Sequence, residues 1–378
     1  MKPTTYENVI ENVKNDRQKS DCKQFITRDT ALTFRGIAAV MVILSHYAEW
    51  YSWFVQTEGN REIFRVALTK LGVYGVDVFF LLSGYAMVKS LGDKKINRDF
   101  IFKKIRNIYI PYLIITGVIE LISGGFTSFH DFWLFASGYD YWFMNVLFVF
   151  YIGFIVIYAL FKKTPLRIAA FGIFTYAYSY TMYKNGMYEF WYVSNITFVI
   201  GIITAECERI FNNNRTDEHK KFNEYEMISV TNSSVTIITH VIYLIMIIAL
   251  GIAMFFVVKS GLYGYEAISR FTKEQQIWLK IGATIIWTLL VLLLTIKWRI
   301  KEQLFSFLGK YSLYLYLTHT YIFMRVVNSR VFADISPDVN TALMAKFAIS
   351  AVFTVIVSAL CGIIITRLTK MMGFRYRL

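Results

Sequence analysis

Cysteine, proline and charge are all scarce in this chain, and each scarcity excludes something. The three cysteines, Cys22, Cys207 and Cys361, are far apart and odd in number. They form neither a disulfide framework nor a metal-ligand spacing and read as free thiols. Only four prolines occur in 378 residues, and apolar runs near twenty residues long recur along the chain. Charged residues make up 17%, against 56% hydrophobic and 18% aromatic. No stretch combines the basic start, short apolar core and small-residue cleavage site of a signal peptide. Solenoid-type repeats, low-complexity tracts and an appended soluble domain are also missing, which leaves the membrane as the place where the chain works.

A soluble chain of this length would form two or three domains. The mean hydropathy of +0.45 and runs long enough to cross ~30 Å of hydrocarbon point instead to an all-α, polytopic membrane protein. Ten spans are predicted: 32–54, 72–88, 108–122, 142–161, 166–183, 189–206, 236–258, 276–296, 304–324 and 340–366. The stretch 126–135, FTSFHDFWLF, is apolar but too short to cross and is expected in the interface. The net charge of +14 reads as a topology signal. With the amino terminus inside, segments 1–31, 89–107, 162–167, 207–235, 297–310 and 367–378 hold 28 Lys and Arg, against 9 in the outer segments. That bias places both termini in the cytoplasm of a multi-pass protein of the plasma (inner) membrane. The expected organisation is a polar, basic lead-in at 1–31, a transmembrane domain at 32–366 with a cytoplasmic loop at 207–235, and a basic tail at 367–378.

The first span, TFRGIAAVMVILSHYAEW at 33–50, is interrupted by Arg35 and His46. Eleven residues at about 100° each overshoot three turns by roughly 20°, so both side chains share one face, about 16 Å apart along the axis. Arg35 alone reads as a snorkelling side chain and His46 alone as a hydrogen-bonded interhelical histidine; two on one face point to a site. The second span, GVYGVDVFFLLSGYAMVKSL, places Asp77 at the depth of His46. A carboxylate there needs a partner, and a carboxylate orienting a histidine is a recurring general-base device. Gly84 allows close helix approach. Lys103, Lys104 and Arg106 precede the third span on the cytoplasmic side. They serve either as topology and anionic-lipid charges or as a clamp for a phosphorylated donor. His319 in the ninth span lies near the level of His46, with Tyr316 three residues before it. His240 reads as interfacial, and His130 and His219 as loop residues.

Together these stretches resemble the family-3 membrane acyltransferases from residue 30 to about 366. Arg35 and His46 match an R-x10-H signature. FFLLSGY, with Ser83, Gly84 and Tyr85, resembles the second-helix FFxxSG motif. FIFKKIRNIYIPY at 100–112 resembles a basic cytoplasmic segment, and LGKYSLYLYLTH at 308–319 an element ending in histidine. In the fourth-span region Trp142, Phe150 and Tyr151 fit, but Leu147 stands where many members carry glutamate. The SGNH domain fused to some members is absent. The resemblance implies acyl transfer, usually of acetyl, from cytoplasmic acyl-coenzyme A to a hydroxyl of a glycan or glycolipid at the outer face, with no metal. Arg35, Lys103, Lys104 and Arg106 would hold the coenzyme phosphates. His46 would be general base or acyl carrier, with Asp77 or His319 orienting it and Ser83 a weaker carrier. Membrane lipids and other glycan-assembly membrane proteins are expected partners, and nucleic acid is not. The rival readings are a transporter or glycan-intermediate flippase using the same polar residues, and a metal enzyme built on His46 and Glu49.

Overall fold

The computed structural model describes residues 24–55, 60–222, 233–259, 271–298, 300–332, 335–336 and 338–371. Among these residues the chain is helical, with no strand. The helices are α1 (Arg28–Phe54), α2 (Asn60–Leu91), α3 (Arg98–Ser123), α4 (Phe129–Ser137), α5 (Trp142–Leu160) and α6 (Thr164–Lys184). They continue as α7 (Ile196–Phe222), α8 (Ser233–Lys259), α9 (Lys273–Lys297), α10 (Gln303–Lys310), α11 (Ser312–Val327) and α12 (Val339–Met371). Among the described residues seven stretches are long and apolar enough to cross a membrane: α1, Leu68–Leu91, α3, α5, Glu189–Asn213, α9 and α12. Within α8 runs a shorter apolar stretch, Val241–Phe256. The protein is an all-α, multi-pass membrane protein.

The ten predicted spans fall mostly on helix, the span 189–206 being broken by turn at 192–195, and the elements differ in four further places. The predicted span 108–122 is the end of a longer helix, α3, which widens to one π turn at Ile105–Tyr109. Pro111 explains the turn: it has no N–H, and its ring clashes with the carbonyl four residues back, so the helical ladder loosens ahead of it. The span 304–324 is two helices that meet at Tyr311. The loop expected at 207–235 is helical as far as Phe222 and again from Ser233, and residues 223–232 lie outside the described set. The stretch 126–135 forms α4, capped by the Ser128 hydroxyl and ended by Gly138 at a φ of 80°. His130 on α4 is exposed, while the side chains of His219 and His240 lie outside the described set. Cys207 and Cys361 are free thiols.

Lipid offers no hydrophobic drive for helix association, so close packing must supply it. Two glycine pairs do this. A Cβ on Gly84 would lie 2.1 Å from the carbonyl oxygen of Phe198, and one on Gly201 the same distance from that of Leu81. This clamps α2 to α7. A Cβ on Gly36 would meet Phe305 O at 1.9 Å, and one on Gly309 would meet Leu32 O at 1.8 Å, which fixes α1 on α10. The α1 start is tied down further. Thr27 caps it, Thr33 bonds Ser306 at 2.9 Å, and Asp29 pairs with Lys301 at 2.7 Å.

Two fully buried carboxylates on α7 complete the frame. Glu208 accepts from the Tyr85 hydroxyl, the Lys89 ammonium and the Phe25 backbone N–H. Glu206 pairs with Arg209 at 2.6 Å and accepts from Tyr158 at 2.9 Å. Every one of these bonds is charge-assisted, the stronger class of hydrogen bond. The frame leaves α1 held along its length between α2, α10 and α11, and α1 carries the two residues singled out first.

Candidate functional site

The His46 Nδ1 lies 2.6 Å from the His319 Nε2, with the rings nearly parallel at 6°. The partners of His319 fix the tautomers. Its Nδ1 faces the carbonyl oxygens of Tyr316 at 2.7 Å and Leu315 at 3.1 Å. A carbonyl only accepts, so His319 Nδ1 carries the hydrogen and, in the neutral ring, Nε2 carries the lone pair. That lone pair accepts from His46 Nδ1–H. The remaining nitrogen, His46 Nε2, is therefore an unprotonated base, and it makes no hydrogen bond with any described residue. Aromatic packing holds the pair: Trp50 lies 5.6 Å from the His46 ring and stacks on Phe323 at 4.1 Å, and Tyr47 stacks on Phe347 at 5.0 Å. His319 is 2% exposed.

His46 opens onto a cavity of about 430 Å³ whose walls include Tyr316, Trp142, Glu189, Ser194 and Lys280. His319 is not among its lining residues and reaches the cavity only through its contact with His46. Tyr316 sits 6.0 Å from the His319 ring and 5.4 Å from Phe143, closing the floor. Trp142 packs on Phe190 at 4.9 Å.

Asp77 does not take the position expected of it. His46 bonds His319 and has no hydrogen bond to Asp77. The Asp77 carboxyl is fully buried, and neither oxygen has a partner at hydrogen-bond distance among the described residues. Its neighbours are the hydroxyls of Ser194 on the approach to α7 and Thr284 on α9. Matching depth was a sound inference, but depth does not fix the direction a side chain points around a helix. Glu49 is exposed and lines the same cavity as His46. Among the described residues no group of three His, Cys, Asp or Glu stands ready to hold a metal.

Toward the other end of α1 a second polar cluster forms. Arg35, on the second turn, lies beside Tyr151 of α5 and Lys104 of α3. The Tyr151 hydroxyl also faces Ser83 of α2. Lys104 donates to Ser90 at 2.8 Å and lies over the rings of Phe100 and Tyr151 at 5.1 and 5.8 Å. Among the described residues neither Arg35 nor Lys104 has a carboxylate within ion-pair distance. Lys103 is exposed beside them. Arg106, in the π turn, donates from Nε to Asn107 at 3.2 Å. Of the four expected cations, the structure therefore brings Arg35, Lys103 and Lys104 to one place. Gly84 and Tyr85 belong to the scaffold, through the clamp on Phe198 and the bond to Glu208.

Sequence reasoning placed Tyr151 in a motif but not beside Arg35, whose charge it feels, and it passed over the Lys280–Glu189 pair. Lys280 carried a usable signal, since an ionisable residue inside an apolar span is uncommon and often functional. Leu147, where the resemblance leads one to expect an acid, is buried core at 5% exposure.

No curated protein and no solved structure matches the chain. A family model does, described as an acyltransferase domain and covering residues 33–363, which takes in most of α1, both polar clusters and the paired histidines. The chain belongs to the acyltransferase-3 family.

Proposed function

We propose that this membrane acyltransferase moves an acyl group, acetyl in the first instance, from cytoplasmic acyl-coenzyme A to a hydroxyl of a cell-surface or exported glycan. The observation that supports it is His46, bonded to His319 and facing a cavity, with an anion-ready cluster on the same helix. Arg35 and Lys104 are two cations with no acid between them, a setting suited to the phosphates of the donor. The axial separation of about 16 Å between Arg35 and His46 is on the scale of an extended pantetheine arm. The Lys and Arg bias along the sequence supports a cytoplasmic side for the cationic cluster and an outer side for the histidines, in the plasma (inner) membrane. Membrane lipids and glycan-assembly proteins are its expected neighbours.

The chemistry follows from the tautomers. His46 Nε2 takes the proton of the acceptor hydroxyl as the oxygen attacks the thioester carbonyl. The tetrahedral intermediate collapses, the C–S bond breaks, and the thiolate leaves and takes the proton back from Nε2. The products are an ester and free coenzyme A. His319 keeps Nδ1 of His46 protonated, which holds the lone pair at Nε2, and shares the imidazolium charge through that same bond.

The test is acyl transfer by the purified protein in liposomes with radiolabelled acetyl-coenzyme A. Wild type is expected to release coenzyme A and label an acceptor, and His46→Ala to do neither while keeping its thermal midpoint. If coenzyme A neither binds nor raises the thermal midpoint of wild type, the donor assignment is lost.

A further inference from the structure

The acyl-transfer chemistry uses His46 on the wall of the 430 Å³ cavity and leaves the rest of that wall without a role. On that wall Lys280 of α9 donates to the Glu189 carboxylate at 2.5 Å. Glu189 belongs to the short 3₁₀ turn Glu189–Trp191 that leads into α7. Both residues line the cavity, and the Lys280 side chain is 10% exposed against 47% for Glu189, so the carboxylate is the more accessible partner. Only Oε2 of Glu189 is bonded; Oε1 makes no hydrogen bond with any described residue. A buried lysine costs desolvation wherever it sits in a membrane, and helix packing alone does not call for one here.

We infer that Lys280 and Glu189, with Trp142, form the acceptor subsite, and that it takes a neutral pyranosyl residue with vicinal hydroxyls. This rests on the acyltransferase reading above. An ammonium only donates and a carboxylate only accepts, whereas a sugar hydroxyl does both. A diol laid across the pair donates to Glu189 Oε1 and accepts from Lys280 Nζ. Trp142, packed on Phe190, offers an apolar face to the C–H face of the ring. The volume falls in the ~300–1,000 Å³ range of small-ligand sites, which are apolar with a few placed polar groups. Charge selects against an ion: Glu49, Lys70, Glu189 and Lys280 all line the cavity and sum to zero. An anionic acceptor would meet two carboxylates, and a cationic one two ammonium groups. Bound this way, the pair decides which hydroxyl reaches His46 Nε2, which makes Lys280 and Glu189 specificity determinants rather than catalytic residues.

The experiment uses the full chain in liposomes with radiolabelled acetyl-coenzyme A. The acceptors are the methyl glycosides of glucose, galactose and N-acetylglucosamine, with methyl glucuronide and glucose 6-phosphate as anionic counterparts. Lys280→Met and Glu189→Gln are expected to raise the acceptor KM about 10-fold or more, as losing one charge-assisted hydrogen bond does, while the donor KM holds. Because Glu189→Gln leaves Lys280 without a counter-ion, Glu189→Asp serves as the conservative variant and should restore most of the affinity. Acceptor KM unchanged in all three variants overturns the subsite. A preference for the anionic acceptors that Lys280→Met abolishes also overturns it, in favour of an anion site. Wild type that releases coenzyme A but labels none of these sugars removes the sugar subsite and leaves acyl transfer standing. Failure of wild type to release coenzyme A at all removes both.

Discussion

At one end of α1 two imidazoles satisfy each other; at the other, Arg35 and Lys104 sit close together with no acid at ion-pair distance among the described residues. The histidine pair is closed on the protein side, since Leu315 and Tyr316 fix His319 and His319 fixes His46, leaving a single free lone pair. The cationic cluster is open, its charge balanced by nothing among the described residues. Closed networks orient chemistry and open charge receives a ligand. The same protein shows what a structural charge looks like by contrast: Glu208 and Glu206 are fully buried and fully partnered.

The largest expected effect is at the closed end. His46→Ala should lower the acyl-transfer rate by about 10²–10⁴-fold, the usual range for losing a general base, with the donor KM and thermal midpoint little changed. A fall in thermal midpoint that tracks the lost rate would instead make His46 a packing residue. His319→Ala comes next. It leaves His46 free to protonate either nitrogen, and the rate should fall by about 10²-fold, the low end of the range for impaired general-base catalysis. His319→Gln, which can still accept from His46 Nδ1, should recover part of it. Equal loss in both variants would contradict the tautomer assignment.

Gly84 separates scaffold from site. It lies next to Ser83, which faces the Arg35 cluster through Tyr151, yet its own role is the clamp on Phe198. Gly84→Ala should cost about 1–3 kcal/mol of stability by overpacking, read as a lower thermal midpoint. Donor and acceptor KM should both hold in the protein that remains folded. A raised donor KM with unchanged stability would move Gly84 into the donor site.

Much of this was legible in the sequence because helical periodicity is regular. The Arg35–His46 face needs only the residue spacing, and His319 at the level of His46 needs only a span count and direction. Gly84 was recognisable as a packing residue. What stayed hidden depends on rotation about the helix axis and on segments where helix replaces loop. Asp77 has the right depth for His46 but points at Ser194 and Thr284. Glu208 sits where a polar loop was expected to begin, and α7 instead carries it buried against Tyr85 and Lys89. The Lys280–Glu189 pair joins two elements 91 residues apart, a contact that no local pattern encodes.

Arg35 gives the smallest effect and the clearest contrast. Removing one partner of a buried ion pair destabilises a fold because the other charge is left alone. Arg35 has no such partner, so its charge costs desolvation without a compensating bond. Arg35→Met keeps the apolar stem and removes the charge. It should raise the donor KM about 10-fold, the value of one charge-assisted phosphate bond. Without donor its thermal midpoint should equal or slightly exceed that of wild type, and added coenzyme A should no longer raise it, since the midpoint rises only with binding to the folded state. A lower midpoint in the absence of donor would mean that Arg35 holds the helices together, and the cluster would then be scaffold, like Glu208, rather than a place kept open for phosphate.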